Sequence, residues 1–144
     1  MHQIFNATEE DLEQIKELLL ETNLVIEDVY KHIENFIIIR KHNGSILACA
    51  GMEIYNEIGF LRSVAVKSNL QGKGIGSLLV ESVINKAKEK NIQTLFLLTE
   101  TAEAFFSKFS FKTINRDKAP ESIKNTYEFE VACAETGILM RKEL

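Results

Sequence analysis

Hydrophobic positions recur along this chain with two periods, and the switches between them mark its elements. Leu12, Ile15, Leu18 and Leu19 follow helical spacing and predict a helix over residues 9–22. Thr8 stands where an N-cap belongs, Asp11 completes a capping-box pattern, and Asn23-Leu24 ends the run. Gln3-Ile4-Phe5 ahead of it reads as a short strand. A weaker helical stretch over residues 26–32 would turn Glu27, Asp28 and Lys31 to solvent.

The pattern then changes to strands at 35–41, 45–55 and 58–66, a meander whose first turn carries the Asn43-Gly44 pair of a tight hairpin. After a glycine-spaced loop, Ile75, Leu78, Leu79, Val83, Ile84 and Ala87 line one face of a helix. The unbroken apolar run Leu95-Phe96-Leu97-Leu98 suits a strand buried on both faces, joined to the strand before the helix by a parallel crossover. A short helix over 102–108, a strand at 111–114 and a short helix at 121–124 behind Pro120 follow. Alternation in Tyr127-Phe129-Val131 and in Ile138-Leu139-Met140 predicts two closing strands. The order is that of an α/β fold in three layers, with a mixed, mostly antiparallel sheet and a parallel pair at its centre.

Composition narrows the function. With 144 residues, 45% hydrophobic and 26% charged, the chain reads as one soluble domain over 1–144. A net charge of -4 argues against nucleic acid, and no apolar run reaches the ~18 residues of a membrane span. No signal-peptide pattern opens the chain, so the cytoplasm is the expected compartment. Cys49 and Cys133, far apart and without C-x-x-C spacing, predict neither a disulfide framework nor a metal site, and each reads as a buried structural thiol. His2, His32 and His42 stand in no pattern with a nucleophile and receive no role.

The candidate chemistry sits where the 58–66 strand runs into Gln71-Gly72-Lys73-Gly74-Ile75-Gly76-Ser77. Glycines there keep Cβ atoms away from a ligand, and the orphan N–H groups of the next helix's first turn make an anion site suited to a diphosphate. The loop is not a P-loop, because Lys73 is followed by Gly74 rather than Ser or Thr. Nor is it a dinucleotide fingerprint, because Ser77 stands where the last glycine belongs. A glycine-rich turn opening an ordinary helix is the plainer alternative. Gln71, Gly74 and Gly76 fit [QR]-x-x-G-x-[GA] after a hydrophobic strand. This resembles the coenzyme A loop of the GCN5-related N-acetyltransferases, and the predicted element order resembles that fold nearly end to end.

The resemblance implies acetyl-CoA as co-substrate, held by Val64, Ala65, Val66, Gln71, Gly72, Lys73, Gly74, Ile75, Gly76, Ser77 and Phe106. In that family the two parallel strands splay, and the backbone at 64–66 pairs with the pantetheine arm. An N–H there, assigned to Val64, faces the thioester oxygen as an oxyanion donor. The family often places a tyrosine acid where this chain has Phe106, so thiolate departure without an acid, at a thiol pKa of ~8.5, is the expected exit. Residues 26–32 would border the acceptor. Glu100, at the carboxyl end of the 95–98 strand, is the candidate base, with helix capping as its alternative, a task Thr99 or Thr101 could also do. Glu53 is the second candidate, and Thr99 joins the acceptor side. Arg62 lies inside an apolar run, where an unpaired charge is expensive. It either grips an acceptor carboxylate or forms a buried ion pair with Glu53 or Glu100.

A narrower likeness joins Leu61–Val66, Leu98–Glu103 with Phe105-Phe106, Arg116, Ala119-Pro120, Phe129 and Cys133. These are similar to the small acetyltransferases of bacterial arsenic-resistance operons, although Cys133-Ala134 replaces a frequent Cys-Pro. The likeness implies an anionic, amino-acid-like acceptor. The expected activity is N-acetyl transfer to the primary amine of such a small molecule by direct attack. A non-catalytic acyl-CoA sensor is the alternative, and pairing into a homodimer through the final strands is implied by analogy.

Overall fold

A computed structural model describes residues 2–132 and 136–144, so Cys133 lies outside the described residues. The strands are β1 (Ile4–Asn6), β2 (Phe36–Arg40), β3 (Ile46–Tyr55), β4 (Ile58–Val66), β5 (Thr94–Thr99), β6 (Lys112–Thr113) and β7 (Ile138–Glu143). The helices are α1 (Leu12–Glu21), α2 (Ile75–Glu89), α3 (Glu103–Ser107) and α4 (Glu121–Lys124). The sheet has seven strands in the order β1-β2-β3-β4-β5-β7-β6. β4 and β5 are parallel over Ile58–Thr94, Gly59–Leu95 and Phe60–Phe96, as the crossover predicted. The mixed α/β fold anticipated from the hydrophobic pattern is the fold observed.

The chain forms two compact units, Met1–Glu53 with Leu61–Lys86, and Ile54–Phe60 with Ala87–Leu144. In the first, the inner face of α1 (Ile15, Leu18, Leu19) packs with Val29, Phe36, Ile38, Cys49 and Ala65. Asp11 accepts the Thr8 N–H at 2.8 Å, the expected capping-box bond, and also pairs with Arg40 at 3.1 Å. Phe36 lies opposite Gly51, and a Cβ at Gly51 would meet its ring at 2.3 Å. Phe36 is fully buried, so its ring or the strand must shift to admit a methyl group there. Gly51→Ala is therefore expected to cost about 1–3 kcal/mol from overpacking. Urea unfolding checks this, as a lower midpoint at unchanged slope.

The second unit is built on Phe60, Phe96, Ala119, Ile123 and Leu139, with β5 and β7 antiparallel from Thr94–Glu143 to Thr99–Ile138. One predicted strand is absent here. Residues 127–131 do not extend but enter a π-helical turn, Glu128–Ala132. The Thr126 hydroxyl donates to the Ile123 carbonyl at 2.7 Å and accepts the Phe129 N–H at 3.2 Å, which winds the chain locally. Burial also opposes a strand: Glu128 is buried while Val131 is 59% exposed. The Phe129 ring instead lies under the Arg116 guanidinium, 4.3 Å from ring centroid to Cζ.

The stretch predicted as a helix over 26–32 is a 3-10 helix at Val29–Asn35, entered through Asp28 at φ 66°. Its later start and tighter winding change which side chains face out. Asp28 and Lys31 pair at 3.2 Å on the outside, but Oε2 of Glu27 is buried, against the expected solvent-facing position.

Candidate functional site

β4 carries an interruption at its centre. Ser63 takes the left-handed region, φ 61°, inside an otherwise extended strand, the local geometry of a bulge that re-aims the residues after it. Beneath it, the Cys49 thiol donates to the Ser63 carbonyl at 3.4 Å. Burial pushes this thiol up to about 12, against the opposing pull of the Ala65 N–H and the Arg62 charge. Cys49 is thus a neutral packing group rather than a nucleophile. Iodoacetamide at pH 8 is expected to leave Cys49 unmodified in the native protein and to label it in urea, which peptide mass spectrometry reads directly.

The chain leaves β4 through Lys67, whose N–H donates to Leu47 O at 2.9 Å, and turns through a 3-10 helix at Ser68–Leu70. The Gln71 side-chain amide reaches back to Val66 O at 3.0 Å and ties the loop to the end of the strand. Gly72 and Gly74 sit at φ 80° and 84°, and no atom lies within 4 Å of where either Cβ would be. Their glycines are required by the backbone, and the space beside them is open. Ile75 is buried and anchors the start of α2, with Leu78 N bonded to Gly74 O at 3.1 Å. The first-turn N–H groups of this 15-residue helix have no acceptor within the helix, and Lys73 is exposed beside them.

Arg62 resolves into one of its two expected settings. Its Nη1 meets Glu53 Oε2 at 2.6 Å, and both side chains are only 3% exposed. Nη2 donates to Val25 O at 3.3 Å and Glu27 O at 2.9 Å, and Nε donates to Ser63 Oγ at 2.9 Å. The guanidinium therefore joins β3, the bulge and the 25–27 segment. On the other carboxylate oxygen, Glu53 Oε1 faces His32 Nε2 at 3.5 Å. Burial lowers the His32 pKa, with Glu53 pulling it up and Arg62 pushing it down. His32 and Glu27 were both missed by sequence reasoning, since no spacing ties either to β3 or β4.

Glu100, Thr99 and Phe106 lie in the second unit. Glu100 is exposed, and its Oε1 accepts the Thr136 hydroxyl at 2.5 Å. Thr99 Oγ1 accepts the Ala102 N–H at 3.0 Å, so the turn before α3 is capped by Thr99 and not by Glu100. Phe106 is buried edge-on between Phe105 at 5.0 Å and Phe111 at 6.0 Å. Among the described residues, no group of three or more His, Cys, Asp or Glu is placed to hold a metal ion, and no helix is long and apolar enough to cross a membrane. An open cleft of about 770 Å³ beside β1 is lined by Phe5, Arg40 and Leu47 among others and includes none of these site residues.

A mixed α/β sheet with a central parallel pair thus leads from a bulged strand through a glycine-spaced loop into α2. The chain belongs to the acetyltransferase (GNAT) family, whose model matches residues 1–111. It is 31% identical over 137 residues to the amino-acid acetyltransferase of Escherichia coli K12, which covers 89% of this chain and 31% of that protein. An uncharacterized N-acetyltransferase of Chlorobaculum tepidum is 29% identical over 99 residues, 68% of this chain and 63% of the relative. The structure of N-acetylglutamate synthase from Neisseria gonorrhoeae with coenzyme A and N-acetyl-glutamate superposes with a TM-score of 0.84 at 25% identity, over 100% of this chain and 35% of that one. The chain thus spans about a third of the length of these amino-acid acetyltransferases.

Proposed function

We propose that this protein transfers the acetyl group of acetyl-CoA to the primary amine of a small, anionic, amino-acid-like molecule by direct attack. The observation that carries the reading is the pair of left-handed glycines, Gly72 and Gly74, opening α2 beside a bulged β4. That cradle fits a diphosphate, since a Cβ at either glycine would stand in open space and not in protein. The relatives named for amino-acid acetylation support the acceptor class.

Acetyl-CoA supplies the thioester, and this chain supplies position and proton handling. Gln71 to Ser77 hold the diphosphate, and the backbone of Val64, Ala65 and Val66 pairs with the pantetheine arm. The Val64 N–H stabilises the oxygen on which charge develops. Glu100 takes the amine proton directly or through one water. Arg62 acts on the acceptor through the 25–27 segment and Glu53, which its guanidinium holds, and Thr99 shapes the turn that presents Glu100. Phe106 offers no proton, so the thiol leaves as its thiolate, at a pKa of ~8.5.

That same hydroxyl-free Phe106, packed among Phe105 and Phe111, favours a second reading, a non-catalytic acyl-CoA sensor. Thiol release from acetyl-CoA, measured against free amino acids, amino-acid phosphonates and arsenicals, and polyamines, separates the two. Turnover with an anionic amine supports the transferase. Calorimetric binding of coenzyme A without turnover across the panel moves the reading to the sensor, and absence of coenzyme A binding overturns both.

A further inference from the structure

We propose that Glu27 receives the ammonium group of the acceptor, through its buried Oε2, before that group loses its proton. The inference deepens the transferase reading and rests on it for the place where the amine arrives.

Three observations meet at this residue. First, Glu27 Oε2 is closed off from solvent and has no hydrogen-bond partner among the described residues. Buried polar atoms are otherwise almost always bonded, so an orphan oxygen at a candidate site points to a donor that a ligand brings. Second, the residue is held in place for that task. Its carbonyl accepts the 2.9 Å bond from Arg62 Nη2, and Arg62 Nε reaches Ser63 Oγ at 2.9 Å. One guanidinium therefore ties Glu27 to the bulge that directly precedes Val64.

Third, its charged neighbours pair with one another. Glu53 is matched by Arg62 at 2.6 Å, and Asp28 by Lys31 at 3.2 Å. Burial holds His32 toward its neutral form. Among the described residues, the Glu27 carboxylate forms no ion pair, while these neighbours do. A primary ammonium provides three donors and one positive charge, and so satisfies the orphan oxygen and pairs the carboxylate together. A neutral amide would answer only the first need, and a carboxylate would be repelled. The ligand class is thus the protonated primary amine of the acceptor, with an anionic end held elsewhere.

The test is calorimetry on the coenzyme A-bound protein with L-glutamate and with glutarate, which lacks the amine, extended to the other amines of the thiol-release panel. Glu27→Gln keeps the shape and removes the charge, and Glu27→Asp keeps the charge and withdraws it. Glu27→Gln is expected to weaken binding of the amine tenfold or more and to leave glutarate and coenzyme A binding unchanged. Its unfolding midpoint should hold or rise, because a carboxylate oxygen closed off without a donor is replaced by an uncharged amide. Unchanged amine affinity, equal losses for both probes, a clear drop in stability, or no amine bound by the wild-type protein each overturn the proposal. Thiol release that ignores Glu27 overturns it and leaves the transferase standing. Amine binding that depends on Glu27 without turnover supports it while the transferase reading fails.

Discussion

Arg62→Met is expected to remove about 3–5 kcal/mol of stability, the usual consequence of stripping one partner from a buried ion pair. Glu53 is 3% exposed, so solvent cannot replace the lost guanidinium. The carbonyls of Val25 and Glu27 and the Ser63 hydroxyl lose a donor at the same time. Lysine is not expected to rescue, because one ammonium cannot serve a carboxylate and separate carbonyls in the planar fork that arginine provides. Arg62→Met with Glu53→Leu should recover the part of the loss that comes from the stranded Glu53 charge, while the Val25 and Glu27 carbonyls still lack their donor. Urea unfolding of both single variants and the double variant gives the coupling. A single-variant cost below about 1 kcal/mol would place the pair in the weak class of solvent-screened bridges.

The pH dependence of that defect has a definite sign. In the wild type, burial and Arg62 both lower the His32 pKa, while Glu53 raises it. Removing Arg62 leaves Glu53 as the dominant charged neighbour, so the folded-state pKa of His32 moves up from its wild-type value. The lowered wild-type value costs stability as pH falls below the unfolded pKa of about 6.5, and a less lowered value in the variant costs less. The deficit of Arg62→Met should therefore shrink from pH 8 toward pH 6. A deficit that stays constant over that range would mean that His32 does not answer to Glu53.

How much of this was legible depended on how local the determinants are. The capping box of Thr8 and Asp11, the hairpin at Asn43-Gly44 and the apolar face of α2 are each written within a few residues, and each formed as read. Arg62 announced itself by cost: a charge in an apolar strand demanded a partner, and Glu53 was one of few within reach. His32 and Glu27 gave no such signal, because their importance arises only when β3 and β4 bring Glu53 and Arg62 to them. Helical period misled at 26–32, where a 3-10 helix starting at Val29 shifts which side chains are buried. Strand period misled at 127–131, where the Thr126 hydroxyl bonds hold the chain in a wound turn.

Replacing both Gly72 and Gly74 by alanine is expected to lower coenzyme A affinity by a hundredfold or more while the protein stays folded. At φ 80° and 84°, each alanine would carry strain of about 1–2 kcal/mol if it kept the native backbone. No atom lies within 4 Å of either new Cβ, so no clash adds to that strain, and the core under Ile75 is untouched. The loop can escape the strain by rotating to negative φ, and that rotation turns the N–H groups away from a shared focus. An anion site made of backbone donors at a helix start loses its ligand under that change, because there is no side chain to take over. Gln71 should then lose its hold on Val66 O, and the end of β4 would loosen with it. Calorimetry with coenzyme A, beside urea unfolding of the same protein, reads the two effects separately. Lost affinity at nearly native stability assigns the diphosphate to these N–H groups. Native affinity would place the diphosphate elsewhere and leave the loop as a turn that merely opens a helix.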